Sequence, residues 1–183
     1  MATPAAPTPG MYVAGRYVPA GPWAARKIAR QVKHLVADYR AGETHEERVL
    51  FDARGEGADQ AAARALLTAA IGPTVAFHRL ILSPGRRCGL VRLIDLHTCT
   101  RLLLMDLGHA LGQQLVWMAA AHRNTDEPHI HVLLAGAATR TRWPREGTVV
   151  GVTLLPPHYA LLRERGDLRA AQIRALNGDG TAA

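Results

Sequence analysis

Two short apolar runs separated by six residues constrain this chain more than any other feature. Residues 115–122 read LVWMAAAH and residues 129–136 read HIHVLLAG, with RNTDEP between them. Runs of this length bounded by turn-forming residues fit strands. A connector this short suits antiparallel pairing. Successive side chains of a strand leave opposite faces, so His129 and His131 share one face, and Ile130, Val132 and Leu134 share the other. His122 ends the first run and stands beside that pair in a hairpin. Two histidines one residue apart arise readily by chance among nine. The third histidine at the partner position, with Pro128 fixing the entry to the second strand, makes a cluster the stronger reading. Three imidazoles converging on one face can hold a divalent metal and leave positions open for water or a phosphate oxygen.

The rest of the chain supplies a sheet and its covering helices. Residues 1–20 read as a flexible N-terminal arm, within which 10–18 alternates enough for a short strand. Residues 21–176 read as one domain, and 177–183 as a flexible tail rich in Ala and Gly. Pro22 opens a helical pattern to about Tyr39, with Ile28, Val32, Leu35 and Val36 on one face and Gly42 as its stop. Asp59 is placed to cap a second helix that ends at Gly72-Pro73. TVAFHRLILS at 74–83 is a strand closed by Pro84-Gly85. A third helix is expected from near Thr98 or Thr100. A further strand covers 147–155, and a last helix runs from Pro156 or Pro157 to about Leu176. Strands separated by helices, with two consecutive strands in a hairpin, predict an α+β fold: a central antiparallel sheet with flanking helices.

Composition narrows the partner. The chain has 183 residues, with 22 basic and 15 acidic side chains and a formal charge of +7. Twenty of the basic residues are arginine, whose planar fork fits phosphate. The charge is uneven. Residues 1–40 carry six basic groups and one acid, 43–59 carry six acids and two arginines, and 60–125 carry seven basic and two acidic groups. The acidic stretch between basic blocks reads as a surface loop. No apolar run approaches the roughly 18 residues of a membrane span, and the N-terminus lacks a secretory pattern. Cys88 and Cys99 form no CxxC pair, which excludes a disulfide framework and a four-thiolate zinc site. A cytoplasmic location is the default expectation.

The segment from His122 to Leu134 resembles the third motif of HUH endonucleases, most closely that of plasmid mobilisation relaxases. His122, Asn124, Thr125, Pro128, His129 and His131 fall on that pattern, and WMAAAH resembles the strand that precedes it. FHRLILSPG at 77–85, KHLVADYRAG at 33–42 and LPPHYALLRERG at 155–166 resemble further relaxase segments, so the likeness spans roughly residues 25–170. It implies the HUH fold and a metal, Mg or Mn, held by His122, His129 and His131. It implies nicking and rejoining of single-stranded DNA at an origin of transfer, through a tyrosine linked covalently to the 5′ phosphate, with accessory relaxosome proteins as further partners. It makes Tyr39 the candidate nucleophile. Tyr159 is the second candidate, as in rolling-circle initiators and related transposases, and a nuclease-inactive DNA-binding module is a third possibility.

Other residues have narrower cases. Arg79, Arg86 and Arg87, with Arg30 and Lys33 on the first helix, are candidate DNA-backbone contacts, against the plainer reading of solvated cations. Asp126 and Glu127 lie beside the histidines, although loop carboxylates are usually solvated. PHIHVLLAG also resembles histidine-triad nucleotide hydrolases, but Leu133 stands where that family has its third histidine. A cupin-type site needs a Glu soon after its His pair, and the next acid here is Glu146.

Overall fold

A computed structural model of the chain describes residues 10–37, 48–85, 89–90, 92–122 and 128–178. Its elements are β1 (Tyr12–Pro19), α1 (Ala24–Ala37), α2 (Gln60–Ala69), β2 (Val75–Ser83), α3 (Leu93–Leu111), β3 (Gln113–Gln114), β4 (Trp117–His122), β5 (His129–Ala135), β6 (Ala137–Arg140), β7 (Val149–Gly151) and α4 (Pro156–Leu176). The main sheet is antiparallel with order β1-β2-β5-β4. A smaller sheet, β3-β6-β7, flanks it.

Each face of the main sheet carries its own core. Phe77, Met118, Ala120, Leu133 and Ala135 meet Ile28, Val32 and Leu35 of α1 and Ala63 and Leu67 of α2. The alternate residues Leu80, Leu82, Trp117, Ile130, Val132 and Leu134 meet Leu96, Leu103 and Leu107 of α3 and Leu162, Ala170 and Ile173 of α4. This two-sided burial explains why β4 and β5 read as near-continuous apolar runs. The i, i+4, i+7 stripe of α1 is buried as its periodicity predicts. Gly112, in the left-handed conformation at φ 64°, ends α3 and lets the chain turn into β3.

Four expectations need correction. Residues 1–20 are not wholly an arm, because Tyr12–Pro19 pairs with β2 as an edge strand of the sheet. Gly15 permits this packing: a Cβ there would lie 2.7 Å from the Tyr159 ring of α4. The acidic stretch 43–59 is not simply a surface loop. Arg48, Leu50, Phe51 and Asp52 are buried. Phe51 exchanges two 2.9 Å backbone hydrogen bonds with Ala119 on the outer edge of β4. Its ring stacks on His97 at 3.9 Å between centroids and meets Trp117 edge-on at 5.9 Å. The charge count concealed the short apolar run Val-Leu-Phe that does this burying. Two of its acids are used locally: Asp52 accepts from the backbone N–H groups of Arg54 and Gly55, and Glu56 pairs with His97 at 2.7 Å. Finally, α3 begins at Leu93, where Arg92 bonds Asp95 in the first turn, and the strand expected over 147–155 is confined to β7.

Candidate metal centre

The hairpin of β4 and β5 brings the three predicted histidines together. His122 pairs directly with His129, and Ala120 with His131, so all three imidazoles leave the face that α1 and α2 cover. Ring centroids are 5.6 Å apart for His122 and His129, 4.3 Å for His122 and His131, and 5.0 Å for His129 and His131. One nitrogen from each ring lies within 4.8 Å of the other two. Ligand nitrogens on one small divalent ion stand about 3–3.5 Å apart, given bonds of about 2.1 Å, so small side-chain rotations close the cluster on a metal.

The donor chemistry fits that use. Burial, then the charge of Arg48 and the neighbouring His129, holds His122 down at about 4. Burial, then His122 and His129, holds His131 down at about 3, with His34 and Arg79 acting in the same direction. Both rings are neutral at pH 7, the state that offers a lone pair to a metal. His122 Nε2 lies 3.3 Å from the Leu35 carbonyl oxygen in the last turn of α1. A carbonyl only accepts, so this bond keeps the proton on Nε2 and leaves Nδ1 with the lone pair a metal would take, an orienting contact typical of metal-binding histidines. No carboxylate joins the cluster among the described residues.

Cations surround it. Arg79 is the one exposed residue of β2, whose other side chains are buried or half-buried. With Arg30, Gln31, Lys33 and His34 of α1 it lines an open depression of about 690 Å³. Among the described residues no ion pair takes in Arg30, Lys33 or Arg79, so their charge is available to an anion. Three of the predicted DNA contacts therefore share one basic depression beside the histidines. Arg86, Arg87 and the candidate nucleophile Tyr39 lie outside the described residues, as do Asn124, Thr125, Asp126 and Glu127.

Sequence reasoning missed two neighbours of the site, His34 and Arg48. His34 had a signal: it lies four residues after Arg30, on the same side of α1. Arg48 had none, because it sits among acids in a stretch that reads as exposed. The structure also separates Tyr159 from the histidines. Its half-buried ring packs against the α3–α4 core and Gly15, on the opposite face of the sheet, and burial raises its hydroxyl above the usual range. Ser83, at the end of β2, donates to the Pro128 carbonyl at 3.1 Å and so steadies the entry to β5.

No protein-family model matches the chain, and no curated protein matches it either.

Proposed function

We propose that the chain is an HUH-type nuclease domain of the relaxase kind, which nicks and rejoins single-stranded DNA at an origin of transfer. The observation that carries this reading is the convergence of His122, His129 and His131 on one sheet face, beside a basic depression and the end of α1. In this reading His122, His129 and His131 hold a divalent ion, Mg or Mn. When bound, the ion supplies Lewis-acid polarisation of a phosphodiester. The remaining steps belong to the chain. Arg79, Arg30 and Lys33 hold backbone phosphates and draw the strand in. Tyr39 is the nucleophile: its oxygen bonds to phosphorus as its proton passes to water, the bond from phosphorus to the 3′ oxygen breaks, and that oxygen takes a proton from water to end as a free 3′ hydroxyl. The 5′ phosphate stays on the tyrosine, so the bond energy is kept and attack by a 3′ hydroxyl reverses the step.

The initiator alternative, with Tyr159 as nucleophile, loses support because Tyr159 packs on the other side of the sheet. A binding-only module is separated from the nuclease by experiment. The test incubates the protein with Mn and an end-labelled pool of random-sequence single strands, then resolves the products on a denaturing gel. The nuclease reading expects a covalent protein–DNA band that disappears in Tyr39→Phe. Salt-sensitive binding with no cleavage identifies the binding module instead.

A further inference from the structure

On the face that carries the histidines, side chains from the four main strands stand in rows. Tyr12 pairs with Ser83. Ser83 lies one step beyond the Leu82–Ile130 pair, which sets it next to His129, and His129 pairs with His122. The next row on this face is Ala14, Ile81, His131 and Ala120, and the third is Arg16, Arg79, Leu133 and Met118. Tyr12 therefore heads the row that the metal-site histidines end. Two strand spacings, about 10 Å, separate its backbone from that of His129.

The two ends of that row differ in cover. His122 lies under the last turn of α1, whereas Tyr12 is 60% exposed. Of the three described tyrosines, Tyr12 alone shares the histidine face. Val13 and Gly15, which flank the alternate positions of β1, pack toward the α3–α4 core with Tyr159, and Tyr17 continues that other set.

Arg16 and Arg79 stand directly opposite each other, and both are exposed. Like charges opposite each other across a sheet destabilise it. Neither has an ion pair among the described residues. An anion lying between them offsets that repulsion.

We infer that Tyr12 is a stacking platform for an unpaired base beside the reacting phosphate, with Arg16 and Arg79 holding the backbone that carries that base. An exposed aromatic ring on the edge strand of this face, in line with guanidinium groups, suits a single strand rather than a duplex, whose bases are already stacked. That the strand is DNA rests on the nuclease reading above; the platform rests on the row geometry and the charge. Tyr12 is a positioning residue in this assignment, acting through its ring and not its hydroxyl.

Fluorescence anisotropy with a labelled random-sequence 20-nucleotide single strand, with Mn present, tests the platform. Tyr12→Ala is expected to weaken binding about 5- to 100-fold, the effect of losing one stacked base, and Tyr12→Phe to stay within about twofold. Arg16→Ala and Arg79→Ala are each expected to lower the slope of log affinity against log salt by about 0.7. Matching melting temperatures exclude a folding defect. Wild-type affinity in Tyr12→Ala overturns the platform, and if Mn-dependent cleavage persists the nuclease reading stands without it. A Tyr12→Phe variant that binds normally but forms no covalent adduct also overturns it, because the hydroxyl and not the ring is then the working part. Tyr12-dependent binding without cleavage keeps the platform and removes the nuclease. Absence of single-strand binding by the wild-type chain removes both.

Discussion

His122 Nε2 lies 3.3 Å from the carbonyl oxygen of Leu35, so the last turn of α1 orients a histidine at the end of β4. This contact ties the helix that leads to Tyr39 to the candidate metal centre. It also gives the centre a thermodynamic signature. An ion that binds the folded chain at one hundred times its Kd adds about 2.7 kcal/mol of stability, or roughly 5–10 °C in Tm for a domain of this size. Differential scanning fluorimetry with Mn is expected to show that rise, EDTA to reverse it, and the double variant His129→Ala/His131→Ala to abolish it. Equal shifts in wild type and double variant would place the metal elsewhere.

Metal and phosphodiester are expected to bind cooperatively. The three histidines bring no negative charge to an ion, and Arg48 and Arg79 act on His122 and His131 as nearby positive charges. A divalent ion thus meets repulsion that an anionic strand relieves. Calorimetric titration of Mn is expected to give at least a several-fold lower Kd with the single-stranded pool present. An unchanged Kd contradicts this coupling.

Phe51 links the 48–56 segment to the outer edge of β4 and is fully buried. Phe51→Ala is expected to cost about 3–5 kcal/mol through lost burial and the cavity left behind. A urea unfolding series measures this. A loss below about 1 kcal/mol would mean that the segment does not pack as described.

Acid should destabilise the metal-free protein from near pH 6.5 downward. Burial holds His78 below its ordinary value, against the 3.0 Å contact of Nε2 with the Val152 carbonyl oxygen. Burial also lowers His97, although Glu56 opposes the shift. Both folded pKa values are depressed, so the unfolded chain takes up protons first. The stabilisation is full above the unfolded value and is lost as pH falls toward the folded ones. Glu56, held down by its bond to His97, and Asp95, held down by Arg92, extend the loss to lower pH. Urea midpoints in EDTA are expected to fall from pH 7.5 to 5. A flat profile would contradict neutral buried histidines.

Much of this architecture was legible because local periodicity and tertiary burial agree. The alternation His129-Ile130-His131-Val132 fixed which side chains face α1, and the stripe Ile28, Val32, Leu35 fixed how α1 lies on them. Legibility failed where burial depends on partners distant in sequence. Phe51 is buried by Ala119, His97 and Trp117, none of which its acidic neighbours announce. Tyr12–Pro19 is a strand only because β2 offers an edge and Gly15 admits the Tyr159 ring. Arg48 belongs to the site through the approach of a separate segment, which neither spacing nor charge count encodes.

Tyr159→Phe should leave both metal binding and any covalent adduct at wild-type levels, because the ring faces the α3–α4 core. Loss of the adduct in this variant alone, with metal binding intact, would contradict the face assignment and restore the initiator reading.

The most direct measurement of the central claim is adduct formation with Mn and the labelled single-stranded pool, compared between wild type, His131→Ala and Tyr39→Phe on one denaturing gel. Wild type is expected to give a covalent band that requires Mn and is lost in both variants, with Mn retained by Tyr39→Phe and lost by His131→Ala. A wild-type protein that binds no metal and forms no adduct would contradict it.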